Sequence, residues 1–150
     1  MSDPEPLTFQ YEVKGMDFAS AGEGASKVKR ALQSLGLDPA IVRRSSVCAY
    51  EAEMNIVIHA WQGVLRASVT PEKIEIVAED RGPGIPDVEL AMREGYSTAP
   101  PHIREMGFGA GMGLPNMKRC SDEMSVESEV GRGTRVRMVI YNRIGRKAGS

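Results

Sequence analysis

Leu7, Phe9, Tyr11 and Val13 alternate with polar residues, the period of a half-buried strand, which is expected over 7–14 and ended by Gly15. The period then changes. Val28, Ala31, Leu32 and Leu35 recur at helical spacing, predicting a helix from about Ser20 to Leu35 with Gly36 as its stop. Asp38-Pro39 supplies an N-cap followed by Pro at the first helical position, and the Ala-, Val-, Ile- and Met-rich stretch beyond predicts a second helix reaching His59 or Trp61. Gly63 breaks that helix and opens a hairpin of strands Val64–Thr70 and Lys73–Glu79 around Pro71-Glu72, with Ile74 and Ile76 on one face and Val77 on the other. Short helices are expected over Asp87–Arg93 and Leu114–Cys120, and a last hairpin pairs Met124–Glu129 with Thr134–Tyr141 around Gly131-Arg132-Gly133. Residues 95–113 have no apolar period and read as a mobile loop, and the tail from Asn142 reads as frayed. With no internal repeat and no linker, the pattern reads as one α/β domain over 1–150, its core over about 7–141.

Composition narrows what such a domain does. Nineteen basic against twenty acidic residues leave a net charge of −1 in 150 residues, without the basic excess of a nucleic-acid binder. No apolar run reaches the roughly 18 residues of a membrane span, and the acidic, Pro-containing start MSDPEPLTF is unlike a signal peptide, so a cytoplasmic protein is expected. Cys48 and Cys120 lie far apart in sequence and, with His59 and His102, form no metal-ligand spacing, so reduced thiols are expected and a His or Cys metal site is not.

Three clusters have the residue types of a site. Glu51, Asn55 and His59 follow one another at four-residue steps, each displaced by only about 40° around a helix, and so share one stripe. A carboxylate and a carboxamide one turn apart suit a general base beside an oxygen ligand for Mg²⁺, although solvated helix faces show the same pattern. Glu53 points elsewhere and is expected in solvent. The second cluster is Glu79-Asp80-Arg81-Gly82-Pro83-Gly84-Ile85-Pro86 after a strand. There a carboxylate can accept from an exocyclic amine such as that of adenine while a Gly-x-Gly backbone comes close; an ordinary tight turn has the same composition. The third is the run Gly107, Gly109, Gly111, Gly113 and Leu114 opening a helix. Alternate glycines let backbone N–H groups converge on phosphate oxygens, or they simply make a flexible loop. The run fits neither the dinucleotide fingerprint nor the P-loop.

Taken in order, the helix with E-x-x-x-N, the strand ending in D-x-G-x-G, the Gly-rich segment and the terminal G-x-G-T hairpin resemble the GHKL (Bergerat-fold) ATPase superfamily over roughly residues 40–140. Within it, the stretches AEDRGPGIPD, GYSTAPP, GAGMGLPNMKRCSDEMSVES and GRGTRV are similar to the serine/threonine kinases of the anti-sigma factor and switch-kinase group. The segment 99–106 before the glycines, and the number of glycines, depart from the simplest anti-sigma pattern.

The resemblance implies a two-layer α/β sandwich: a mixed sheet, helices on one face, and ATP held under a mobile lid. It implies Glu51 as general base, Asn55 as the Mg²⁺ ligand, and Asp80 as the adenine reader with Gly82 and Gly84 in the adjacent turn. Gly109, Gly111, Gly113 and Leu114 would face phosphate, and Thr134, with Gly131 and Gly133, would help hold adenine. The function implied is ATP-dependent phosphorylation of a Ser or Thr on a STAS-domain anti-sigma antagonist. A sigma factor or a phosphatase would be the second partner, and homodimerisation stays open. The alternative is a module that grips a partner in an ATP-dependent way and transfers nothing. A detached ATP-binding domain of a histidine kinase would need a phospho-accepting His, and His59 in the second helix and His102 in the loop do not suit that role.

Overall fold

A computed structural model describes residues 5–93 and 113–142. In chain order the elements are β1 (Leu7–Lys14), α1 (Glu23–Ser34), α2 (Pro39–His59), β2 (Gln62–Val69), β3 (Lys73–Arg81), α3 (Val88–Ala91), α4 (Gly113–Cys120), β4 (Glu123–Glu129) and β5 (Gly133–Tyr141). The strands form one five-stranded sheet in the order β1-β2-β3-β5-β4, and α1, α2 and α4 cover one of its faces. This is the expected two-layer α/β sandwich, with one correction: the sheet is antiparallel at every junction rather than mixed. The reason lies in the last hairpin. β3 and β4 run in the same direction, but β5 turns back from β4 and inserts between them, so the two never pair.

The alternation read from the sequence sets which side of the sheet is covered. Leu65, Ala67, Ile74, Ile76, Val136, Met138 and Ile140 face the helices and pack on Val28, Leu32, Cys48, Ala49, Ala52, Ile56, Leu114 and Met117. Val77 lies on the opposite face, as expected, and is nevertheless buried, as is Val139. That outer face is laced by cross-strand ion pairs, Arg137 with Glu75 at 2.6 Å and Glu79 with Arg66 and Arg135.

α2 is the central helix, packed between α1 and α4, and begins as its sequence predicts: Asp38 Oδ1 accepts from the Ala40 N–H at 2.8 Å with Pro39 at the first position. Burial on several sides also corrects the expectation for Glu53. It is 3% exposed, and its carboxylate accepts from the N–H groups of Gly22 (3.0 Å), Gly24 (3.3 Å) and Ala25 (2.8 Å). α1 therefore starts at Glu23 rather than near Ser20: its Gly22 cap carries no side-chain acceptor, and a carboxylate from the neighbouring helix satisfies its first donors.

Two smaller departures matter. β3 runs on to Arg81, which places Asp80 within the strand, opposite Gly63. Asn142 is tied down, donating from its backbone to Glu72 O at 2.8 Å and from its side chain to Pro71 O, while the rest of the tail expected to fray, 143–150, lies outside the described residues. Among the described residues no helix is long and apolar enough to cross a membrane.

Candidate functional site

The site is built on α2 and on the end of the sheet where β3 stops and β5 begins. Glu51 and Asn55 stand one turn apart on α2, both half-buried, on the flank that meets α4. α4 starts at Gly113 against Asn55: a Cβ at residue 113 would lie 3.1 Å from Asn55 Oδ1, so glycine lets the helix end approach the carboxamide. Leu114, buried, anchors that first turn in the core. One turn further on, Asn116 Nδ2 donates to Glu51 Oε2 at 2.6 Å, and the Arg119 guanidinium donates to Asn116 Oδ1. His59, on the same stripe, is exposed at the helix end and joins nothing in the cluster.

Asp80 approaches from the sheet. Its Oδ1 accepts from the Thr134 N–H at 3.1 Å. Burial pushes the Asp80 carboxyl up from the ordinary carboxylate range, and the Thr134 N–H opposes that rise by favouring the charged form. The second carboxylate oxygen has no partner among the described residues.

The Gly-x-Gly turn after β3 is clamped to the β4–β5 hairpin. The Gly82 N–H donates to Arg132 O at 3.0 Å, and the Gly131 N–H donates to Pro83 O at 2.8 Å. Gly84 has φ 78°, and a Cβ there would lie 2.4 Å from Glu129 O. Gly133 is tighter still: a Cβ would fall 2.0 Å from Asp80 O, so only glycine lets the hairpin reach the strand end that carries Asp80. Ser128 Oγ accepts from the Ile85 N–H at 2.7 Å and sits 2.8 Å from Thr134 Oγ1, joining turn and hairpin through side chains.

The structure thus brings Glu51 and Asn55 together with Gly113, and Asp80 together with Thr134, Gly82 and Gly133. Gly109 and Gly111, together with the segment 99–106, lie outside the described residues. Three residues of the arrangement were missed by the sequence reading: Asn116, Ser128 and Glu53. Ser128 left a trace, a polar residue on the phase of β4 whose other members, Met124 and Val126, pack on the core. Asn116 and Glu53 left none, because both act across helix contacts between residues distant in sequence.

The donor set fits a Mg-nucleotide. Among the described residues no group of three or more His, Cys, Asp or Glu could hold a metal ion by itself. A hard-oxygen donor such as Asn55 next to a helix N-terminus instead suits a cation held mainly by phosphate oxygens.

Comparison with known proteins agrees with this geometry. The histidine kinase-like ATPase domain family matches residues 17–140. The serine/threonine-protein kinase RsbT of Bacillus subtilis is 31% identical over 119 residues, covering 77% of this chain and 84% of that protein. The anti-sigma F factor of Caldanaerobacter subterraneus subsp. tengcongensis is 37% identical over 134 residues, covering 85% and 89%. Among solved structures, the blue-light activated histidine kinase of Erythrobacter litoralis EL346 superposes with a TM-score of 0.56 at 18% identity, covering 84% of this chain and 43% of that one. That likeness is one of fold.

Proposed function

We infer the function from one premise, that the chain belongs to the histidine kinase-like ATPase family. It is an ATP-dependent serine/threonine protein kinase of the anti-sigma and switch type, and its acceptor is a Ser or Thr on a STAS-domain protein. The observation that carries this reading is the pairing of Glu51 with Asn55 on α2, half-buried and facing the start of α4, with Asp80 held at the sheet end by Thr134. The name of the Bacillus subtilis relative, a serine/threonine-protein kinase, supports the activity; the name anti-sigma F factor supports partner switching in transcription.

Asp80 accepts from the exocyclic amine of the base, and Asn55 Oδ1 contributes an oxygen ligand to Mg²⁺. Bound Mg-ATP supplies a transferable phosphoryl group whose charge the cation offsets. Phosphoryl transfer asks the protein chiefly for position and electrostatics. Glu51 contributes the remaining piece: it takes the proton of the acceptor hydroxyl as that oxygen attacks the γ-phosphorus and the bond from the γ-phosphorus to the departing ADP breaks. A module that only gripped its partner would have no use for such a base.

The test is incubation with γ-³²P-labelled ATP and each STAS-domain protein of the source organism. The wild-type chain transfers label to a Ser or Thr of one of them. Glu51→Ala abolishes transfer while sparing ATP binding, and Asn55→Ala weakens Mg-ATP binding itself. Tight ATP binding with no transfer to any acceptor points instead to a binding module. Normal transfer by Glu51→Ala refutes the assignment of the base.

A further inference from the structure

The contact between α2 and α4 carries more than packing. Asn116 Nδ2 donates to Glu51 Oε2 at 2.6 Å, while Asn116 Oδ1 accepts from the Arg119 guanidinium. The second contact orients the first. With its oxygen turned to a cation, the amide has only its NH₂ to present to Glu51, so the two hydrogen bonds fix one another's direction. Arg119 lies three residues beyond Asn116, one turn along the same helix.

A glutamate general base needs such help. Its carboxylate hangs on three rotatable bonds, and it must sit within about 2.6–3.2 Å of the hydroxyl it deprotonates. Tethering Oε2 to α4 removes most of that freedom and leaves Oε1, which has no partner among the described residues, for the acceptor. An amide is well suited to the task, because it donates a hydrogen bond without offering a titratable proton that could compete with the one being transferred. The same helix also begins against Asn55, through Gly113. Residues 113 and 116 of α4 therefore address Asn55 and Glu51 respectively, so a single rigid element sets both.

We propose that Asn116, oriented by Arg119, is a positioning residue that holds the Glu51 carboxylate in its working rotamer. This rests on the kinase reading above.

The experiment uses the full chain, γ-³²P-labelled ATP and the STAS-domain acceptor found by the transfer assay. Asn116→Ala lowers kcat about tenfold, a part of the hundredfold or more that a general base contributes, while KM for ATP and for the acceptor stay within twofold. Asn116→Asp, of the same size, sets a carboxylate against Glu51 and lowers kcat further. A spectroscopic arm is independent of the acceptor: in the ¹⁵N–¹H spectrum of the free protein, the Asn116 side-chain amide proton donated to Glu51 is shifted downfield, and Glu51→Ala moves it back towards the position of a solvated Asn amide.

Loss of transfer in Glu51→Ala together with wild-type kcat in both Asn116 variants overturns the positioning role and leaves the kinase reading intact. An Asn116 amide signal that ignores Glu51→Ala overturns it as well. If the wild-type chain phosphorylates no acceptor, the kinase reading falls and the positioning role falls with it.

Discussion

Replacing Asp80 with Asn separates the demands of binding from those of folding, because the two effects have opposite signs. In the folded protein Asp80 gives one oxygen to the Thr134 N–H, and an asparagine carbonyl can accept that same bond. What Asp80→Asn removes is the charge and the second acceptor, the oxygen that in the proposed function receives the amine of the base. A hydrogen bond to a charged group is worth about 1.5–3 kcal/mol, so ATP affinity falls by roughly ten- to more than a hundredfold. The loss tends to the upper end if the new NH₂ faces the amine of the base. Stability moves the other way. Burial raises the Asp80 carboxyl, so ionising it costs the folded state more than it costs the unfolded one. The sign follows from linkage: the native state binds the proton more tightly than the unfolded state, so stability falls as pH rises from the unfolded carboxyl value, about 3.9, through the raised native one. Asp80→Asn is therefore at least as stable as wild type at pH 7 without ligand, and the difference shrinks as the solution is acidified. Thermal melts across pH, with and without one fixed concentration of Mg-ATP, together with titration calorimetry, measure both effects; the ligand-induced rise in Tm is larger for wild type than for Asp80→Asn. Unchanged ATP affinity, or a ligand-free Asp80→Asn protein less stable than wild type by more than about 1 kcal/mol, refutes the reasoning.

Two further outcomes concern the frame around the site. Glu53→Ala leaves the buried N–H groups of Gly24 and Ala25 without their acceptor and lowers stability by about 2–4 kcal/mol, whereas Glu53→Gln keeps an acceptor oxygen and costs less; urea midpoints measure both, and a loss within the roughly 0.5 kcal/mol of an exposed substitution contradicts the capping role. Burial, reinforced by Cys120 nearby, pushes the Cys48 thiol up to about 12, so it stays protonated at neutral pH. Alkylation of the native protein therefore labels the half-buried Cys120 first and Cys48 only on unfolding, as peptide mass mapping will show; equal rates at the two cysteines contradict this.

Most of the architecture was legible because it is written in local periods. The alternation of Leu7, Phe9, Tyr11 and Val13, the capped start at Asp38-Pro39 and the glycines around the last hairpin each dictate structure within a few residues. The spacing of Glu51 and Asn55 was readable for the same reason, since four residues make about one helical turn. What the periods do not encode is how elements meet. Nothing local says that β5 will slide between β3 and β4 and so make the sheet antiparallel throughout, and nothing local distinguishes Glu53 from a solvated glutamate.

α2 shows why that limit falls on the functional residues in particular. Its Glu51 and Glu53 are two residues apart, about 200° around the helix, and so look in nearly opposite directions. Because α1 packs on one flank and α4 on the other, both carboxylates find partners, and of different kinds. Glu53 meets three backbone donors at the start of α1, which use both of its oxygens and leave it no chemical task. Among the described residues Glu51 meets a single side-chain amide, from α4, which engages one oxygen and leaves the other without a partner. The sequence presents two glutamates in one helix; the number of donors each receives decides which is a structural cap and which can act as a base.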